Sequence, residues 1–415
     1  AILYAFTGED EYLQMSVNGY KKIDTYHMLP DGVHTSSEMT CGNESWRTHE
    51  SCDISDYTWS LGYLLEATGK SEYADKIEWA IFNALPGAVG PYFKTIQYLS
   101  CVNQVISARN STHISSWKNT PRMAYQPHHY PECCVGNIGR AMPNYVARMY
   151  QTTKRGVAVS LYGDSSYRGE EMELIQTGGY PFGNQVSFEV RVKQPEKNEL
   201  MLRIPGWSKK TVLEQNGKRV PLVMKEGYAC LTVCDGDVIT LKLTKGFSGN
   251  HAPDGGIYFT YGPFLMTLKI EEDRKIDTAE KRQTPDFPAY NIYPASPWSY
   301  AVTGWEQGEI FEFEPSQSPF WKGNPVEIKI KARQLHHWEL VKEEGIKTVG
   351  LVDNEGIDDK QVDCGATIVE DDLVMTPILP DASFIEQNLG AEEKITLVPY
   401  GCTNLRLTVF PKYNR

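Results

Sequence analysis

The sequence predicts a multidomain α + β chain, the C-terminal part of an (α/α)6 toroid followed by two β-sandwich domains. Three observations carry this reading. The hydrophobic period is helical up to about residue 152 and switches to two from Gly156. A helix-Thr-Gly-helix unit occurs twice, as Leu3-Tyr4-Ala5-Phe6-Thr7-Gly8-Glu9-Asp10-Glu11-Tyr12 and as Leu64-Leu65-Glu66-Ala67-Thr68-Gly69-Lys70-Ser71-Glu72-Tyr73. A Pro-rich, irregular stretch around Thr284–Pro297 divides the β part in two.

Each element follows from local pattern. Tyr57 to Ala67 reads as a helix closed by Gly69 at the C′ position, and a second periodic stretch runs from Glu72 to about Leu85. A last helix is expected from Asn137 to about Tyr150. That makes about five helices, roughly half of what a ring of six hairpins needs. The expectation is that the N-terminal half of the ring lies outside this chain or that a partner chain completes it, so that these residues alone form no working pocket. A small helical domain complete in itself is the plainer alternative. The loop Leu29–Thr48, rich in Gly, Ser, Thr and Asn, lies between two hairpins, where active-site residues concentrate. Val157–Tyr162, Val186–Val192, Val238–Leu243 and Val326–Ile330 alternate as strands, and Leu405–Phe410 reads as a closing strand.

A net charge of −12 argues against a nucleic-acid partner, which favours a basic surface. No apolar run reaches the length of a membrane span. The opening residues Ala1–Phe6 are neither a start methionine nor a signal peptide, so they leave localisation open, periplasmic or cytoplasmic alike. The 24 Tyr, 14 Phe and 9 Trp suit stacking on sugar rings, although core packing uses the same residues.

Nine cysteines, an odd number, do not make a disulfide scaffold. Cys230 and Cys234 share one face of a strand-like run and read as core. The adjacent pair Cys133-Cys134 is different, because neighbouring cysteines close only a small, strained disulfide ring. Together with Glu50-Ser51-Cys52 the pair supplies three thiolates and a carboxylate, a full four-ligand set for zinc. A metal or a catalytic thiolate explains this set; three small buried hydrophobes is the bland alternative.

These residues also carry a resemblance. Glu50-Ser51-Cys52, and Cys133-Cys134 followed by Asn137 and Arg140, resemble the ExC and CC-x-x-N-x-x-R patterns of glycoside hydrolase family 127, the β-L-arabinofuranosidase family. Leu202-Arg203-Ile204-Pro205-Gly206-Trp207-Ser208, Gly227-Tyr228 with Gly236-Asp237, Tyr261-Gly262-Pro263 and Pro399-Tyr400-Gly401-Cys402-Thr403-Asn404-Leu405-Arg406 match as well. The resemblance implies a partial (α/α)6 catalytic barrel over 1–153, a first β-sandwich over 154–279 completed by 395–415, and a second over 280–394. There are departures. Val135-Gly136 replaces two prolines after the cysteine pair, the loop before ExC is shorter, and His128-His129-Tyr130-Pro131-Glu132 replaces an aromatic segment.

What the resemblance implies for chemistry is specific. Zinc is held by Glu50, Cys52, Cys133 and Cys134, Cys133 is the nucleophile of a retaining glycoside hydrolase, and Glu38 is the general acid/base, with Glu44 its rival. His34, His128 and His129 are candidates to hydrogen-bond sugar hydroxyls. The substrate is an oligosaccharide or glycan, a β-L-arabinofuranoside or a related plant cell-wall sugar. Two other classes compete: a non-catalytic carbohydrate-binding protein with a structural zinc site, and a polysaccharide lyase on an α/α toroid using Tyr and His. A carboxylate opposite the thiolate discriminates against the first, and the lyase leaves the cysteine set unexplained.

Overall fold

The computed structural model describes residues 1–36, 39–111, 121–129, 132–316, 320, 323–343 and 373–413. The N-terminal part is helical: α1 (Ile2–Thr7), α2 (Asp10–Tyr26), α3 (Ser51–Thr68), α4 (Ser71–Phe82), α5 (Ala84–Ala88), α6 (Cys133–Ile138) and α7 (Ala141–Ala147). The repeated Thr-Gly units are helix ends. Gly8 and Gly69 both sit in the left-handed region, at φ 73° and 67°, and donate N–H to the carbonyls of Tyr4 and Leu65. That conformation is open to glycine at little cost and stops each helix where the next begins.

The expected helix from Asn137 to Tyr150 is instead two short helices. The first starts at Cys133, the two meet at Gly139-Arg140, and residues Tyr150–Thr152 have already turned into strand. Gly136, Gly139 and Pro143 lie inside the periodic stretch and break what the period alone predicts.

From Gly156 the chain is β. Two antiparallel-rich sheets come first. One has six strands between Ser165 and Lys242, and the other has five between Tyr150 and Thr232, in which Gly156–Val159 pairs in parallel with Glu199–Arg203. Alternating side chains of both, such as Val157, Leu174, Phe188, Leu202 and Ile239, join helical residues such as Leu61, Leu64 and Ile77 in one apolar cluster. Cys230 lies half-buried on a strand of the second sheet, whereas Cys234 falls in the following turn and is exposed, not core.

A third sheet joins Phe247–His251, Ile257–Tyr261, Phe264–Leu268, Leu389–Pro399, Val326–Leu335 and Tyr300–Glu312, in that spatial order. Strand pairing thus puts 247–268 with the later strands, where a division at 279 keeps them with the earlier ones. The closing strand also differs from the expectation: Arg406–Leu407 pairs with Asn103–Gln104 of the helical region.

The Leu202–Ser208 motif fastens the first two sheets to the helices. Arg203, fully buried, ion-pairs with Asp75 and Glu78 of α4; Trp207 Nε1 donates to Glu78 at 3.1 Å and Tyr180 Oη donates to it at 2.6 Å. A buried guanidinium held by two carboxylates leaves an uncompensated charge if any partner is removed. Among the described residues no helix is long and apolar enough to cross a membrane.

Candidate metal centre and active site

The site is built where α3 and α6 begin. A short strand β1 (Thr48–Glu50) runs straight into α3 and pairs antiparallel with β2 (Leu99–Cys101), Glu50 opposite Leu99. Asp53 accepts the Glu50 N–H at 3.1 Å, tying the helix start to its own first turn. Burial raises the Asp53 carboxyl above its usual range, against the opposing pull of His34 and His49. Glu50 and Cys52 are therefore held on a rigid strand-to-helix junction. Cys133 and Cys134 open α6, and Ser55 of α3 donates to the Asn137 carbonyl at 2.8 Å, locking the two helices together.

One ligand atom each from Glu50, Cys52, Cys133 and Cys134 falls within a cluster whose members all lie within 4.8 Å of one another. The Cys52 and Cys134 sulfurs are 3.1 Å apart, and Cys134 Sγ is 3.9 Å from Glu50 Oε2. Donors about 2.0–2.3 Å from a tetrahedral ion stand roughly 3.3–3.8 Å apart, so the spacing and the soft donor set fit a metal ion. Glu50, Cys52 and Cys134 are buried, and Cys133 alone of the four is exposed. The Cys133 thiol is lowered to about 5, chiefly by the hydrogen bond from Cys134, then against its burial by those from Tyr98 and Cys52. The same contacts with Cys133 and Cys52 push Cys134 far up.

Tyr98, which sequence reasoning did not single out, places its hydroxyl 3.4 Å from Cys133 Sγ. It lies one residue before β2, so the strand that pairs with Glu50 also aims this hydroxyl. Long-range pairing beside β1 brings it near the cysteines, and no local motif announces that. Tyr98→Phe is expected to raise the Cys133 pKa in metal-free protein, because it deletes a donor to the thiolate. The pH midpoint of iodoacetamide labelling of Cys133 then moves upward; an unchanged pH profile of labelling would refute the contact.

The three histidines separate. His34 is half-buried, its ring edge-on to Tyr57 at 5.7 Å. His128 is half-buried, with Nδ1 3.7 Å from Glu132 Oε1. His129 is buried: its Nε2 donates to the Ile96 carbonyl at 2.7 Å, its ring stands edge-on to Tyr98, and burial lowers it to about 4. His129 thus supports Tyr98 from behind. Glu38 lies outside the described residues. Its rival Glu44 is ion-paired with Arg47, whose hydrogen bond holds the carboxyl below its usual range.

Comparisons with known proteins bear on the family and the fold. The model of the β-L-arabinofuranosidase GH127 catalytic domain matches residues 1–147, and that of the GH127 middle domain matches residues 156–245. No curated protein matches the chain. Among solved structures, a GH127 β-L-arabinofuranosidase from Geobacillus stearothermophilus T6 is similar, with TM-score 0.67, 17% identity and coverage of 99% of this chain and 58% of that one. A protein described as a glycoside hydrolase gives 0.64, 18%, 99% and 64%. A GH127 β-arabinofuranosidase gives 0.67, 15%, 99% and 57%. The chain spans between 57% and 64% of the length of these structures, and at such identities the likeness is one of fold. With both domain models matched in order along it, the chain belongs to glycoside hydrolase family 127, the β-L-arabinofuranosidase family.

Proposed function

We propose that the protein is a retaining glycoside hydrolase whose nucleophile is Cys133, bound to zinc with Glu50, Cys52 and Cys134. The observation that carries this is the burial pattern of the donor set, in which three donors are sealed in and Cys133 alone faces outward. A purely structural site has no reason to expose one thiol. Zinc, when bound, keeps the thiolate deprotonated at neutral pH and withdraws part of its charge.

In the first step Cys133 Sγ attacks the anomeric carbon, the bond to the leaving oxygen breaks, and Glu38 donates its proton to that oxygen. In the second, Glu38 takes a proton from water, the water oxygen attacks the same carbon, and the carbon–sulfur bond breaks. The ionised state of Glu44 supports Glu38, since a proton donor needs its pKa raised, not lowered. His34 and His128 are proposed contacts to sugar hydroxyls, and His129 acts through Tyr98. The substrate class is a β-L-arabinofuranoside or a related plant cell-wall sugar.

The helical hairpins support reading residues 1–153 as part of an (α/α)6 ring, and the paired sheets support sandwich domains after it. Ile2, Leu3 and Phe6 of α1 and Met15 and Tyr26 of α2 are exposed. They form the side on which further helices, of this protein or a partner, complete the ring.

A sugar probe carrying a cyclophellitol-type or haloacetamido group, followed by peptide mass spectrometry, tests the nucleophile. Label on Cys133 and a retained product by NMR are expected; label on a carboxylate or an inverted product overturns the assignment. Glu38→Gln is expected to slow alkyl glycosides about 100-fold or more and nitrophenyl glycosides far less, because a good leaving group needs little protonation.

A further inference from the structure

We infer that the C-terminal segment Tyr400–Arg406 is the floor of the metal centre, and that Tyr400 and Arg406 are positioning residues for Glu50 and Tyr98. The inference rests on the metal reading above.

Two buried branches run from this segment to the site. In the first, Tyr400 Oη donates to Asp31 Oδ2 at 3.2 Å and lies 3.4 Å from the Cys101 carbonyl of β2. Asp31 Oδ2 is 2.8 Å from His49 Nε2, and the other ring nitrogen of His49 lies 3.3 Å from the Glu50 carbonyl. Asp31, His49 and Tyr400 are all fully buried. In the second branch, Arg406 donates to Gln97 Oε1 at 3.1 Å and to Ser100 Oγ at 3.2 Å, on either side of Tyr98 and Leu99. The Gln97 carbonyl in turn accepts the Ser51 hydroxyl, and the Tyr98 carbonyl accepts the Ser51 N–H at 3.0 Å. Both branches therefore end on the backbone that carries Glu50 and Tyr98.

The two residues also brace each other. The Arg406 guanidinium stands 4.5 Å over the Tyr400 ring, and it donates to the Gly87 carbonyl at 2.7 Å. A Cβ at Gly87 would collide with both side chains, so a glycine is needed where the segment seats itself on α5. Groups that orient metal ligands from behind typically change metal affinity by 10–100-fold when altered. A tail that only packed would not need to converge on the two segments that carry Glu50 and Tyr98.

The test uses the zinc-loaded protein and its Co²⁺-substituted form. In Tyr400→Phe, zinc affinity measured against a chromophoric chelator is expected to fall about 10-fold or more, and the Co²⁺ d–d bands are expected to shift. In Thr408→Val, which deletes an equally buried hydroxyl of the same tail bonded to Thr267 at 3.1 Å, affinity should stay within about twofold and the spectrum unchanged. Wild-type affinity and spectrum in Tyr400→Phe, or equal losses in both variants, overturn the inference. Cys134→Ser is run alongside: if it too retains its zinc, the metal reading itself fails, whereas loss there with no change in Tyr400→Phe removes the positioning role alone.

Discussion

Cys133→Ser is expected to lower kcat/KM on aryl β-L-arabinofuranosides by about 10⁴-fold, the scale on which single nucleophiles fail. The serine hydroxyl is not ionised near neutral pH and holds a metal poorly, so both attack and departure are lost in one change. The other three donors are buried at a strand-to-helix junction and a helix start, so the fold survives and the variant can be compared fairly. Steady-state and single-turnover kinetics, with metal content from elemental analysis, check the result. Activity within tenfold of the parent would transfer the nucleophile to another residue and leave the cysteine cluster a structural part.

Stripping the metal should have the next largest effect, on stability. Three thiols and a carboxylate confined within 4.8 Å repel one another as they ionise and are reconciled by a divalent ion. A nanomolar site held a thousandfold above its dissociation constant contributes about 4 kcal/mol. For a protein of this size that corresponds to a fall in Tm of roughly 5 °C on treatment with a strong chelator, reversed by added zinc. Calorimetry of the same sample before and after chelation is the check, and a shift under about 2 °C would show that the fold does not depend on the ion.

Local chemistry was the legible part of the sequence. The Thr-Gly units foretold two left-handed helix ends because glycine is read by the backbone alone. Glu50, Cys52, Cys133 and Cys134 were legible because soft ligands in that number have few other uses, and the structure brings all four together. What escaped depends on distant pairing. Tyr98 has no motif, and long-range pairing carries it to Cys133. His129 looked like a sugar contact by its place beside the cysteines, but its ring serves the Ile96 carbonyl. The pairing of 247–268 was hidden too, since alternation says that these are strands and not which sheet they join.

The seating of Arg406 against Gln97 also sets a clock. A ribosome adding about 5–20 residues per second needs on the order of 15–55 s to pass from Cys134 to Arg406. During that interval the helices can form, but the strand Arg406–Leu407 that pairs with Asn103–Gln104 does not yet exist. The nascent thiols therefore wait for a segment made long after them. Pairings of such long sequence separation are slow to form. Completion of the segment that carries Tyr98 is thus late by geometry, because Gln97 and Ser100 gain their Arg406 partner only after residue 406 has been made.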